Sequence, residues 1–300
     1  MRRTTPGAHP LIRAAWLAAA GLLVVAGLVE LLARGRAAIF VLVASVVLFV
    51  VSYIAYLVRH LLFLAEVARA ERALAAGDLE RARALLAPLL DAYPDLAPVQ
   101  RAAAITLYRR GDPLSAASLL ERASRSYADD VEVATTLVAS YAALNHGGDA
   151  RRASGLVPRA VDVRLALAWS ELVALGGDRA AGIALAAELA DRADVRASPS
   201  RRAMAHALEA IAAARRMDAA AAADRLRLLR EAVSRLPAEE RAFIDYLEAV
   251  ALRELGRTAE AVAAFERAID TAPDTIGEAL ARRERAGLVA RLASPSQTEG

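Results

Sequence analysis

The sequence predicts an all-α fold: a transmembrane helical hairpin followed by an α-solenoid of about six helix pairs. Three observations carry this expectation. Hydrophobic residues make up 57% of the 300 residues but aromatics only 5%, so Ala, Leu and Val carry the apolar count, a mixture that favours helix over sheet. Residues 37–76 run without glycine or proline. After them, Gly-Asp pairs recur at the head of segments with a shared pattern of small and large residues, with Gly77 and Gly111 34 residues apart.

The N-terminus, residues 1–10, is short, polar and basic and is expected to be disordered. Pro10 suits the first turn of a helix, where its missing N–H has no partner in any case. Leu11 to Ala33 supplies enough apolar residues to span a bilayer. Arg13 can snorkel to one interface, and Glu30 lies near the other, with Arg34 one turn away. Arg34-Gly35-Arg36 is the break before a second apolar run, and Gly35 can take the left-handed conformation that closes a helix. Residues 11–60 therefore read as a two-helix hairpin. The run does not stop there: residues 37–76 read as one helix of about 40 residues, roughly 60 Å long, apolar in its first part and amphipathic in its second.

Charge is unevenly spread. Residues 1–61 hold six Arg and one acid, Glu30, whereas the remaining residues hold 32 Arg and 34 acids. The basic character belongs to the apolar, N-terminal part. The rest is close to neutral and lacks a basic block, which removes the electrostatic support that nucleic-acid binding requires. Arg2, Arg3, Arg13, Arg59, Arg69 and Arg72 flank the two spans on one side, against Arg34 and Arg36 in the turn. The positive-inside rule then places both termini in the cytoplasm, with the hairpin in the inner membrane of a bacterial cell.

The repeats occupy residues 61–293. In the first clear copy, Gly77-Asp78 is followed by Ala82, Leu86 and Pro94. In the next, Gly111-Asp112 is followed by Ala116 and Leu120. Near the end, Gly256 precedes Ala261, Phe265 and Pro273. Two helices that cross closely need a small residue at the crossing and a large one a turn later. Glycine supplies the turn between them, and proline ends the second helix. A lone hairpin cannot bury its apolar face, so neighbours must stack. The middle copies depart from the pattern. Asn145-His146-Gly147 is expected to lengthen one turn, Gly155 and Pro158 interrupt a second helix, Gly182 stands where Ala is expected, and Met217-Asp218 replaces Gly-Asp. Residues 276–293 read as a capping helix and residues 294–300 as a disordered tail.

This pattern resembles the tetratricopeptide repeat (TPR): a 34-residue helix–turn–helix with a small residue, Ala-x-x-x-Phe/Leu and Pro at fixed places. The resemblance implies a right-handed solenoid that binds a protein or peptide in a groove lined by the first helix of each pair. Carried onto this chain, the groove positions are Glu71 and Leu74 in the first pair, and Arg101, Ile105, Tyr108 and Arg109 in the second. The third pair contributes Glu132 and Thr135, and the last Phe243, Tyr246 and Arg253. The chaperone-type clamp of the family needs asparagines beside its basic residues, and only Arg101 fits it here.

Catalytic signatures are missing. Cysteine is absent, which removes thiolate ligands and a thiol nucleophile. His9, His60, His146 and His206 share no metal-binding spacing, and the Gly-Gly-Asp turns at residues 147–149 and 176–178 do not follow strands, as phosphate loops would. The expectation is a non-enzymatic membrane-anchored scaffold without metal or cofactor. The alternative is an accessory subunit that assembles into a membrane complex through its hairpin, where Ala15 and Ala19 would permit close helix approach.

Overall fold

The structure, a computed structural model, describes residues 21–27 and 36–293. By contact density it divides into two units, Met1–Arg72 and Ala73–Gly300. The expected disordered N-terminus, most of the first span, the Arg34-Gly35 turn and the tail at 294–300 lie outside the described residues.

In the first unit, residues 21–27 are helical (α1). The long helix α2 spans Arg36–Ala75, 40 residues, matching the stretch free of Gly and Pro. From Val43 to Leu64 most of its large apolar side chains stand exposed, Val51 by 57% and Leu61 by 64%, with Phe49 and Phe63 half-buried. Aromatic rings follow one another along it: Phe49 stacks on Tyr53, Tyr56 on His60, and His60 on Phe63. Among the described residues, one helix is long and apolar enough to cross a membrane, over Val43–Ala75. A two-span hairpin is not shown, because residues 28–35 and most of the first span are not described. The unit boundary also falls later than residue 60, because Ala73 and Leu74 are the residues that join a core with Ala82 and Ile105.

The second unit is built of helix pairs. The end of α2 is followed by α3 (Leu79–Ala92). Next come α4 (Ala97–Arg109) with α5 (Pro113–Ala123), and α6 (Val131–Ala143) with α7 (Gly147–Ser154). α8 (Val161–Val173) pairs with α9 (Arg179–Ala190). A short α10 (Ala193–Arg196) precedes α11 (Pro199–Arg215) with α12 (Ala219–Val233). α13 (Ala238–Glu254) and α14 (Thr258–Thr271) form the last pair, and α15 (Ile276–Ala293) packs on both. First helices stack on first helices: α4 meets α6, α6 meets α8, α8 meets α11, and α11 meets α13. No strand occurs among the described residues.

The Gly-Asp pairs have a physical explanation. Gly77, Gly111 and Gly256 adopt positive φ, as do Asn145 and Met217. At each, the next residue's N–H reaches back five residues to a helix carbonyl, as in Asp112 N to Leu107 O at 2.9 Å and His146 N to Tyr141 O at 2.8 Å. This is the Schellman closure of the first helix. The aspartate that follows caps the second helix: Asp78, Asp112 and Asp218 each accept from the N–H three residues on, at 3.0 Å. One dipeptide thus ends one helix and starts the next. The expected lengthening at Asn145-His146-Gly147 does not occur. Asn145 sits 34 residues after Gly111 and takes the left-handed position itself, as asparagine tolerates, and α7 begins at Gly147.

At the crossings, Ala82, Ala116 and Ala261 are fully buried, beside Leu86, Leu120 and Phe265. Pro94 and Pro273 lie just past the ends of α3 and α14. Gly182 performs the small-residue task in α9, since a Cβ there would meet the Leu172 side chain and backbone at 3.0 Å. Two buried glutamates tie helices together. Glu171 of α8 receives both arms of Arg151 from α7 at 2.8 and 2.7 Å. Glu248 of α13 receives Arg230 from α12 and Arg267 from α14.

Asp245, one turn before Glu248 on α13, is different. Desolvation pushes its carboxyl up to about 6, aided by the Glu248 charge and opposed by Arg267, Arg241 and a hydrogen bond from Thr271. Because its folded pKa lies above its unfolded value of about 3.9, the fold binds the proton more tightly. Stability from this site is therefore full below about pH 4 and is lost as pH rises through about 6. Asp245→Asn should raise Tm at pH 7.5 by a few degrees and leave it unchanged at pH 4, as read by circular-dichroism melts across that range.

Candidate partner-binding groove

The first helices of five pairs, α4, α6, α8, α11 and α13, enclose a cavity of about 320 Å³. Its apolar wall comes from Leu165, Trp169, Met204, Phe243, Ile244 and Ile276. These positions follow the 3.6-residue period. Asp162, Leu165, Ala166 and Trp169 mark one face of α8, and Glu239, Glu240, Phe243 and Ile244 one face of α13. The Trp169 and Phe243 rings meet edge to face at 5.0 Å, and behind Phe243 the series continues through Tyr246 to Phe265. The Trp169 Nε1–H has no acceptor at hydrogen-bond geometry, although the Tyr246 hydroxyl is close enough to be affected by it. Burial raises the Tyr108 phenol above its ordinary range, and the Glu239 charge adds to that shift.

The rim is polar and mostly paired. Arg201 of α11 forms a two-pronged ion pair with Asp162 of α8, both contacts at 2.7 Å. Arg109 of α4 grips Glu239 of α13 with Nε at 2.6 Å and with its second nitrogen, and gives a further hydrogen bond to the Leu74 carbonyl at 2.8 Å. This pair joins residues 130 apart in sequence across the groove. Both side chains are more than two-thirds buried, so it should be worth more than an exposed pair. A double-mutant cycle with Arg109→Ala and Glu239→Ala is expected to return a coupling of about 1–2 kcal/mol in urea melts, against roughly 0.2–1 for surface pairs.

The positions carried over from the repeat pattern separate into groups. Tyr108, Thr135 and Phe243 line the cavity, and Arg109 holds its rim. Arg101 and Glu132 bind each other at 2.5 Å, with Asp130 as a second partner of Arg101. Arg253 is engaged by Glu284 and Glu254. Ile105, Leu74 and Tyr246 are buried, at 3%, 6% and 1% exposure, and serve the packing between helices. That removes them from direct contact with a partner. The side chain of Tyr246 is covered because α14 and α15 close over its face of α13. Glu71 is exposed and is not part of the cavity's lining.

Reasoning from the sequence missed the contributions of α8 and α11: Asp162, Leu165, Trp169, Ser200, Arg201 and Met204. The signal was available. Each set lies on one helical face, and Trp169 is one of two tryptophans in the chain. Their repeats diverge at the turn and crossing positions, and those were the positions used to define the array. Among the described residues, no group of His, Asp and Glu is arranged to hold a metal ion.

Stacked helix hairpins with an apolar groove on the first-helix face define the class of this molecule, an α-solenoid of repeats suited to holding another chain. The profile of the tetratricopeptide repeat matches residues 73–141. A tetratricopeptide repeat protein from Parabacteroides merdae, known from its crystal structure, superposes with a TM-score of 0.54 at 13% identity, covering 91% of this chain and 98% of that one. No curated protein matches. The fold is thus TPR-like, and such a fold suggests a scaffold for protein interaction.

Proposed function

We propose that this protein is a membrane-anchored scaffold that holds a protein or peptide partner in the groove of its TPR-like array, at the cytoplasmic face of the inner membrane. The observation that carries the binding part is the open apolar cavity on the first-helix face, with the half-buried Tyr108, Met204 and Phe243 in its wall. Aromatic side chains beside arginine are the usual composition of binding hot spots. The anchoring part rests on α2, most of whose large apolar side chains from Val43 to Leu64 stand exposed. Lipid is the solvent that suits such a surface. The apolar run of the sequence over residues 11–33, and the arginine distribution, favour an integral hairpin with both termini inside.

The same exposed face of α2 favours a second reading, in which the protein is an accessory subunit that assembles through its membrane segment. Photocrosslinking in living cells separates the two. Probes replacing Tyr108 and Met204 report on the groove, and a probe replacing Val47 reports on α2. Discrete protein adducts from the groove probes, in a membrane fraction that resists carbonate extraction, are the expected result. Adducts from Val47 alone would favour the accessory subunit. Recovery of the protein in the soluble fraction would overturn the anchoring.

A further inference from the structure

The chemistry of the groove specifies more than its shape. Three acids and one base line it: Asp162, Glu239, Glu240 and Arg201. Arg201 pairs with Asp162 through Nε and one Nη, and Glu239 pairs with Arg109 from just outside the wall. Both pairs are neutral. Glu240 is left over. It accepts a hydrogen bond from the Ser200 hydroxyl, a neutral donor, and no contact ion pair is shown for it among the described residues, Arg109 acting on it only at longer range. It is exposed at the mouth, one residue from Glu239 and one helical turn from Ile244. The site therefore combines an open apolar wall with one carboxylate at its edge that makes no contact ion pair and feels Arg109 only from a distance.

We infer that the cavity selects a partner segment carrying one large apolar side chain, Phe, Trp, Leu or Met, with an Arg or Lys within about a turn of it. The apolar side chain fills the space against Phe243 and Met204, in front of the buried Trp169, and the cation meets Glu240. The volumes agree: a cavity of about 150 Å³ already holds a benzene ring, so about 320 Å³ takes one bulky side chain together with part of its backbone. The charges agree as well. A cation restores neutrality at the rim, whereas an acidic segment would face Glu240 with both neighbouring arginines already paired to carboxylates. This inference rests on the scaffold reading above and names the kind of segment that the groove accepts.

The test is selection from a phage-displayed library of random dodecapeptides on the full chain in nanodiscs, followed by fluorescence titration of the selected peptides. Enrichment of a bulky apolar residue next to Arg or Lys is expected. Glu240→Arg should weaken those peptides about tenfold, and exchanging the peptide's cation for Glu should restore binding to that variant. Ala166→Trp, which fills the cavity, should abolish binding, with Ala139→Phe as a second plug should the first fail to fold. Peptides that the plugs block but that carry no cation, or ignore Glu240→Arg, would overturn the charge selectivity and leave the groove reading intact. Peptides indifferent to both plugs would overturn groove binding itself. So would an absence of enriched peptides, and a change of oligomeric mass in Ala166→Trp by light scattering would then assign the cavity to a second copy of the chain.

Discussion

Trp169→Ala should lower the stability of the repeat unit by about 3–5 kcal/mol, the usual cost of deleting a buried aromatic. In a unit of this size that is a fall in Tm on the order of 10 °C. Trp169 is 1% exposed and lies where α8 faces α13. Its ring supplies the edge-to-face contact with Phe243 at 5.0 Å, an arrangement worth about 0.5–1.5 kcal/mol beyond burial. The loss should not stay local, because Phe243 leads into Tyr246 and Phe265 and hence to α14. Trp169→Phe keeps most of the volume and gives up an N–H that has no well-placed acceptor, so it should cost under about 1.5 kcal/mol. Thermal melts of the three proteins check both statements. Equal losses for the alanine and phenylalanine variants would mean that the indole nitrogen, not the ring volume, is what the site needs.

Gly277→Ala should be strongly destabilising for so small a substitution. A Cβ at Gly277 would stand 2.6 Å from the Ala242 carbonyl carbon and from the Phe243 nitrogen. Both are backbone atoms of α13 and cannot rotate aside, so α15 must shift outward, at about 1–3 kcal/mol for overpacking. Gly287, in the same helix, has open space around its Cβ position. There alanine should stabilise by roughly 0.5–1 kcal/mol, the ordinary gain within a helix. The pair forms an internal control, since composition and helix are the same and only the neighbour differs. Because Phe243 lines the groove and Ile276 adjoins Gly277, Gly277→Ala should also weaken whatever binds there, whereas Gly287→Ala should not.

The extent to which the array was legible in the sequence varies by element, for identifiable reasons. The turns were legible where glycine stands, because only a left-handed residue closes the first helix, and Gly77, Gly111 and Gly256 do so. Asn145 and Met217 adopt the same conformation but carry side chains, so their turns looked irregular. The crossing alanines were legible because close approach excludes anything larger. Gly182 read as a departure although it answers the same demand, with Leu172 at 3.0 Å from its Cβ position. The groove was half legible. Tyr108, Thr135 and Phe243 lie on the expected face, while Ile105 and Tyr246 share that periodicity and are buried. Periodicity fixes which way a side chain leaves its helix. It does not fix what the next helix places over it.

By itself, then, the sequence determined that this chain is helical, that its first repeats keep a 34-residue period, and that an apolar helix precedes the array. Each of these follows from local physics: helix propensity, the left-handed turn, and the length of an apolar run. The tertiary structure alone decided which first-helix residues open onto a cavity and which are sealed, because that depends on α14 and α15 packing against α13, on Arg109 reaching Glu239 across 130 residues, and on Glu240 being the one acid of the lining without a contact ion pair. Such pairings depend on distances between segments remote in sequence, and no local pattern of residue types records them.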